Sequence, residues 1–335
     1  MDLLIDIVLL VIGFVLLVKG ADFFVDGSST VAKVFKIPSI IVGLTIVAMG
    51  TSLPELSVSL VAALNGANEI AVSNVVGSNV FNLIVVLGAC AIISPIAVDK
   101  SVVKREFPFS IIITIVLALM IADNYLPLIP DYKPEIAEGA EKMVGIIDRL
   151  DGAILLIIFI GFMVYTVMTA LNQRKAAKEQ PEEDGPKKNI FLAILFIVGG
   201  IAAIKFGGDF VVDSAKSLAI RFGMSETLVG LTIVAVGTSL PELVTSVVAA
   251  RKGETSLAIG NVVGSNIFNV LLILGVSSLI SPVGVVFSSL IDMIILIFLS
   301  VLVLVFVKTK ERIDRKEGII MVALYIAYMV YAIIR

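Results

Sequence analysis

Glu55 and Glu242 each lie near the middle of an apolar run, inside the same hexapeptide, Gly-Thr-Ser-Leu-Pro-Glu (50–55 and 237–242). A charged group at the centre of a bilayer costs from about 2.5 kcal/mol on insertion scales to more than about 10 in simulations of isolated helices. Such an acid needs a counter-ion. Lys and Arg occur only near the ends of the surrounding apolar segments, so an exogenous cation is the natural partner. A protonated Glu bonded to a nearby carbonyl would account for one such residue, and less readily for two in matched contexts.

The neighbours of both acids supply oxygen. Thr51 and Ser52 precede Glu55 as Thr238 and Ser239 precede Glu242. Pro54 and Pro241 lack an N–H and free the carbonyls of Gly50 and Gly237 four residues earlier. Further on, Ser78 with Asn82 and Ser265 with Asn269 stand one helical turn apart, on one face. Gly77 and Gly264 in the same segments permit close approach or a local break. Hydroxyls, amides, carbonyls and carboxylates, without thiolate or imidazole, select Ca²⁺, Mg²⁺, Na⁺ or K⁺ over zinc, copper and iron. Ca²⁺ accepts about six to eight oxygens in forgiving geometry, whereas Mg²⁺ demands a tight octahedron. A mixed, flexible pocket favours Ca²⁺. Monovalent ions would have to share its oxygens, and mutual exclusion in one pocket is the basis of exchange.

What positions these residues is a duplication. Residues 43–63 and 230–250 match at 17 of 21 positions without a gap, and the same shift of 187 maps 71–82 onto 258–269, Asp22 onto Asp209 and Asp26 onto Asp213. With 59% hydrophobic residues, 16% charged and a mean hydropathy of +1.09, the chain has the composition of a bilayer protein. His and Trp are absent, and the single Cys90 excludes an internal disulfide. The N-terminal stretch is acidic and lacks a small-residue cleavage site, so it reads as a first span rather than a signal peptide.

Ten segments approach the roughly 20 apolar residues needed to cross hydrocarbon: about 3–25, 37–64, 70–94, 106–123, 152–171, 189–213, 225–250, 257–281, 286–307 and 318–334. The polar stretch 172–188 separates a first repeat, 1–171, from a second, 189–335. Alternate connections carry 17 Lys and Arg against 6 on the opposite side, which places both termini outside and the 172–188 linker in the cytoplasm. Five spans per half then invert the second repeat relative to the first. The expected fold is an all-α integral membrane protein of ten helices, two inverted five-helix repeats with the second, third, seventh and eighth helices broken, an architecture suited to alternating access.

The doubled GTSLPE, followed by GSNVFN (77–82) and GSNIFN (264–269), resembles the α-repeats of the cation/Ca²⁺ exchanger superfamily, most closely its prokaryotic sodium/calcium exchanger branch. The resemblance covers the whole ten-span layout. It implies an antiporter of the cell membrane, not an enzyme, that needs no cofactor or nucleic acid and functions as a monomer. It further implies that Thr51, Ser52, Glu55, Ser78 and Asn82 join Thr238, Ser239, Glu242, Ser265 and Asn269 in holding Na⁺ and Ca²⁺, together with the carbonyls of Ala48 and Ala235. The first and sixth helices would be long, tilted gates sliding past an eight-helix core. Some relatives, the potassium-dependent branch among them, carry Asp where this chain has Asn269. With both amides neutral and no His, Na⁺ coupling is favoured over K⁺ or H⁺. The short linker leaves no room for the calcium-sensing domains that animal exchangers carry there.

Two other classes fit less well. A Ca²⁺ channel calls for a continuous pore, usually a ring of subunits with an acidic filter. An intramembrane enzyme calls for an activated nucleophile, and Ser/Glu pairs without His or Lys provide none. The acidic connection 124–151 reads as a solvated surface segment. The charge asymmetry yields a direct test: in a Cys90→Ala background, cysteines at Gly185 and Lys310 are expected to react with an impermeant maleimide only from the cytoplasm, and one at Lys133 only from outside. Labelling of all three from one face would refute the inversion.

Overall fold

The computed structural model describes residues 3–65, 69–121, 143–178, 189–224, 233 and 235–334. Among these the chain is almost wholly helical: α1 (Leu3–Phe35), α2 (Ser39–Thr51), α3 (Leu53–Leu64), α4 (Ala71–Ile93), α5 (Glu106–Ile121), α6 (Arg149–Lys178), α7 (Ile190–Arg221), α8 (Leu240–Arg251), α9 (Thr255–Ile280), α10 (Phe287–Lys310) and α11 (Arg315–Ile334). Seven are long and apolar enough to cross a membrane, or eight if α2 and α3 count as one bent span. The expected fourth segment forms a helix of only 16 residues, α5. Most of 225–234 lies outside the described residues, as do the greater parts of the acidic connection and of the 172–188 linker.

Polar residues fix the helix starts. Asn189 accepts hydrogen bonds from the N–H groups of Phe191 (2.9 Å) and Leu192 (3.4 Å), capping α7. At α11, Asp314 accepts from Lys316 and Glu317 while Glu317 accepts in return from Asp314 N–H, a reciprocal cap. The Lys310 ammonium, 2.7 Å away, and the Glu317 N–H hold the Asp314 carboxyl down at about 2.

Burial separates a centre from a rim. The central windows of α4 and α9 are 72% and 78% buried, against 22% for α1, α6 and α7 and 11% for α11. The two helices carrying the Ser/Asn pairs are therefore central. On the rim, α1 and α7 run antiparallel along paired glycines. A side chain at Gly13 would meet the Gly207 carbonyl at 2.8 Å, one at Gly20 the Gly200 carbonyl at 3.0 Å, and the reverse additions are as tight. Only glycine permits so close an approach. Buried Asp6 adds a polar tie, accepting from Ser217 Oγ at 2.8 Å and lying 3.5 Å from Arg221 Nε.

Two short antiparallel ribbons join the halves. β1 (Ile96–Ala97), which follows α4, pairs with β4 (Arg312–Ile313), which precedes α11. β3 (Val283–Val286), which follows α9, pairs with β2 (Met143–Ile147), which precedes α6. Each half thus lends a strand after its third segment to a strand before the fifth segment of the other.

The expectation of four broken helices needs correction. A bend of 48° separates α2 from α3 at Ser52, and a two-residue turn at Thr238–Ser239 separates Ala235–Gly237 from α8. α4 and α9 instead run through without a break and widen into π-helix at Phe81–Val86 and Asn269–Ile273. Neither contains a proline, so no hydrogen bond is forcibly lost. Gly264 serves close packing: a side chain there would strike Ala48 Cβ at 2.7 Å and the Leu44 backbone at 2.9 Å.

Candidate functional site

The two breaks are near-identical in shape. Ser52 leaves the helix at φ −82°, ψ 10° and Ser239 at φ −92°, ψ 7°, each followed by a proline in the first turn of the next helix. Because a helix interior rejects proline and a helix start accepts it, Pro54 and Pro241 set the starts of α3 and α8. Glu55 and Glu242 consequently fall in first turns, where unpaired N–H groups and the helix dipole favour a negative charge. Both are fully buried.

The halves then satisfy each other's acid. Ser239 Oγ donates to Glu55 Oε1 at 3.0 Å, and Ser52 Oγ donates to Glu242 Oε1 at 3.1 Å. The carboxylates are close enough for their charges to interact directly, and Ser78 stands beside Glu55. Ser265 and Thr51 stand beside Glu242. Thr51 Oγ1 lies within reach of Val47 O (3.2 Å), Ala48 O (3.3 Å), Asn261 Oδ1 (3.0 Å) and Ser265 Oγ (3.5 Å), with one proton to donate among them.

Six buried side-chain oxygens of the expected set make no hydrogen bond: Glu55 Oε2, Glu242 Oε2, Ser78 Oγ, Asn82 Oδ1, Asn269 Oδ1 and Thr238 Oγ1. Asn82 Nδ2 is equally unpartnered. An unpaired buried polar group costs about 1–3 kcal/mol, and such groups are rare enough to call for a cause. Asn82 lies in the π-turn of α4 and Asn269 opens that of α9, and π-turns are frequent where a helix presents groups to a ligand. Among the described residues no three of His, Cys, Asp and Glu cluster, so a cation here would rely on neutral oxygens beside two carboxylates. The Ala48 carbonyl already accepts from Ser52 N–H at 3.0 Å and has Thr51 Oγ1 at 3.3 Å. Ala235 falls in the turn of helix before Gly237.

Sequence reasoning passed over a second ring of amides. Asn74 Nδ2 donates to Ser59 Oγ (3.0 Å) and to the Glu55 carbonyl (3.3 Å), and Asn261 Nδ2 donates to Ser246 Oγ (2.9 Å). Asn79 and Asn266 each donate to the other's carbonyl at 3.3 Å, and Asn269 Nδ2 donates to Asn79 Oδ1 at 3.0 Å. The signal was present, because Ser59, Asn74 and Asn79 recur as Ser246, Asn261 and Asn266 under the same shift of 187. The matched acids Asp22 and Asp26 lie elsewhere, on Lys252, and Asp209 is paired with Lys205 of its own helix.

The family model described as sodium/calcium exchanger protein matches residues 5–168 and 192–334. The sodium/calcium exchanger MaX1 of Methanosarcina acetivorans is 35% identical over 350 residues, covering 97% of this chain and 98% of its own. The inner membrane protein YrbG of Escherichia coli is 35% identical over 284 residues, 82% of this chain and 79% of its own. A structure of the sodium-calcium exchanger NCX_Mj, soaked with Na⁺ and Sr²⁺, superposes with a TM-score of 0.81 at 31% identity over 98% of this chain and 99% of that one.

The Asn79–Asn266 pair spans the two halves at the centre of the molecule. Asn266→Ala removes the donation from Asn266 Nδ2 to the Asn79 carbonyl but keeps the backbone carbonyl that Asn79 Nδ2 donates to, and is expected to lower unfolding stability by about 0.5–1.5 kcal/mol. A thermal unfolding series in detergent checks this, with the exposed Lys19→Ala variant expected to stay within about 0.5 kcal/mol of the parent.

Proposed function

The chain belongs to the sodium/calcium exchanger family, and from that footing we propose that it is a secondary antiporter exchanging Na⁺ for Ca²⁺ across a cell membrane. The observation that carries the proposal is the set of six unpartnered buried oxygens on six residues, two of them carboxylate oxygens, drawn equally from both halves. Oxygens in that number and mixture suit Ca²⁺ and, shared among adjoining sites, Na⁺.

The substrate site consists of Thr51, Ser52, Glu55, Ser78, Asn82 and their mates Thr238, Ser239, Glu242, Ser265 and Asn269, with the Ala48 and Ala235 carbonyls. Ca²⁺ would neutralise the two carboxylates, and Na⁺ ions would have to occupy the same oxygens, so the two cargoes exclude each other. If more than two Na⁺ replace each Ca²⁺, every cycle moves net charge and is coupled to voltage by about 2.3 kcal/mol per elementary charge per 100 mV.

Alternating access then requires the site to open to each side in turn. The ten segments form two inverted repeats, 1–171 and 189–335, joined by a cytoplasmic linker at 172–188, with both termini outside. The cross-half strand pairs support this arrangement: β1 with β4 joins two connections on the Lys/Arg-rich side, and β2 with β3 joins two on the opposite side. The pair α1 and α7, held by glycine contacts and largely exposed, is suited to slide as the gate while α4 and α9 stay fixed.

Glu55→Gln and Glu242→Gln are each expected to abolish Na⁺-driven Ca²⁺ uptake by reconstituted protein. Each removes half of the charge that offsets ion desolvation. Gln is cheaper than Glu in an apolar setting, so both variants should remain folded and elute as the parent does. Near-normal exchange by either would remove the site assignment.

A further inference from the structure

At the tip of α8 the chain folds back sharply. Lys252 caps the helix, Gly253 takes φ +79°, and Glu254 N–H returns to the Ala249 carbonyl at 2.9 Å. The left-handed conformation at Gly253 is one that glycine adopts without strain. Through this turn both charged residues reach α1. Lys252 Nζ lies 2.9 Å from Asp26 Oδ1, 3.4 Å from Asp22 Oδ1 and 3.1 Å from the Asp22 carbonyl. Glu254 accepts from Ser29 Oγ, from Lys33 Nζ at 3.0 Å and from Ser39 Oγ at 3.4 Å. Asp22, Asp26, Ser29 and Lys33 recur every three or four residues, one stripe of α1. Partial burial pushes the Glu254 carboxyl up, but the Ser29 hydroxyl and the Lys33 ammonium outweigh it and hold the group below the usual range.

The duplication does not carry these residue types at the matching positions. Under the shift of 187, Asp22 and Asp26 recur as Asp209 and Asp213, but Lys252 corresponds to Asn65, Glu254 to Ala67, Ser29 to Lys216 and Lys33 to Ile220. The second gate helix keeps its acids while the first repeat offers no cation at the matching tip. Asp209 is taken up instead by Lys205 on its own helix, at 2.7 and 2.5 Å.

We propose that Lys252 and Glu254 are positioning residues that clasp α1 to the tip of α8 and bias the transport cycle toward the state in which that end of the protein is shut. This rests on the alternating-access reading, and in the orientation set by the Lys/Arg count that end is cytoplasmic. A contact made in one state and broken in the other shifts their equilibrium by its differential free energy. Exposed ion pairs are individually weak. Here two charged groups from one turn engage five residues of α1 and α2, so the clasp acts as a network. Because the matching positions, Asn65 and Ala67, carry no charge, the repeat does not reproduce these ion pairs and the clasp weights one closed state over the other.

The test uses the full chain in nanodiscs, in a Cys90→Ala background with a reporter cysteine at Ala32. Ala32 is 2% exposed and one position from Lys33. Lys252→Ala and Glu254→Gln are expected to raise maleimide labelling of that cysteine by about five-fold, the size appropriate to losing a small ion-pair network. Lys252→Arg and the swap Lys252→Asp with Asp26→Lys should return it toward the parent rate. In sided proteoliposomes, both disrupting variants should lower the apparent KM for Ca²⁺ at the cytoplasmic face and raise it at the outer face, a split that general destabilisation would not produce. Unchanged labelling, or both KM values moving the same way, would overturn the clasp. Labelling needs no ion flux, so it decides the clasp even if the parent failed to exchange ions, an outcome that would count against the proposed function instead.

Discussion

Two carboxylates buried in an apolar protein, close enough to repel each other, are the constraint around which the molecule is organised. Neither has a Lys or Arg within reach among the described residues. What the chain supplies instead is neutral: two helix N-termini, and a serine from each half donating to the acid of the other. Each serine satisfies one carboxylate oxygen and leaves its neighbour bare. That partial satisfaction is costly to a resting protein and useful to one whose cargo is a cation.

The rest of the architecture follows from supporting such a pocket. Prolines set helix starts where charge is favoured, and glycines let α2 and α9 approach until Thr51 and Ser265 are 3.5 Å apart. The π-turns of α4 and α9 present Asn82 and Asn269 without interrupting the helices. Behind them, Asn79 and Asn266 tie the two halves together by reciprocal amide-to-carbonyl bonds, while Asn74 and Asn261 each brace their own half through a serine hydroxyl. Because related sequences build both halves, each device occurs in related form twice, and the departures from symmetry, such as Lys252 and Glu254, become conspicuous.

Much of this was legible from residue order alone. A carboxylate inside an apolar segment announces itself, and its recurrence after 187 residues identified its companions. Cys90, in an apolar run, is a buried free thiol. The supporting amides were missed because Asn74 and Asn79 lie close to the Ser78/Asn82 pair in sequence, and only three-dimensional placement separates a pocket wall from its backing. Glycine signals close packing and helix interruption equally, so residue order alone does not tell the π-turns of α4 and α9 from breaks. The clasp was invisible for a different reason: Lys252 and Glu254 meet α1 across more than 200 positions, and a polar turn between apolar segments ordinarily signals only solvent.

Competition of Na⁺ and Ca²⁺ for one oxygen pocket is tested most directly by isotopic Ca²⁺ uptake into proteoliposomes loaded with Na⁺, with the outward gradient replaced in turn by K⁺, Li⁺ or choline and the membrane potential imposed. Uptake should require internal Na⁺, scale with its gradient and quicken at inside-positive potential. Ca²⁺ entry that proceeds equally without a Na⁺ gradient, or that follows a K⁺ or pH gradient instead, would contradict it.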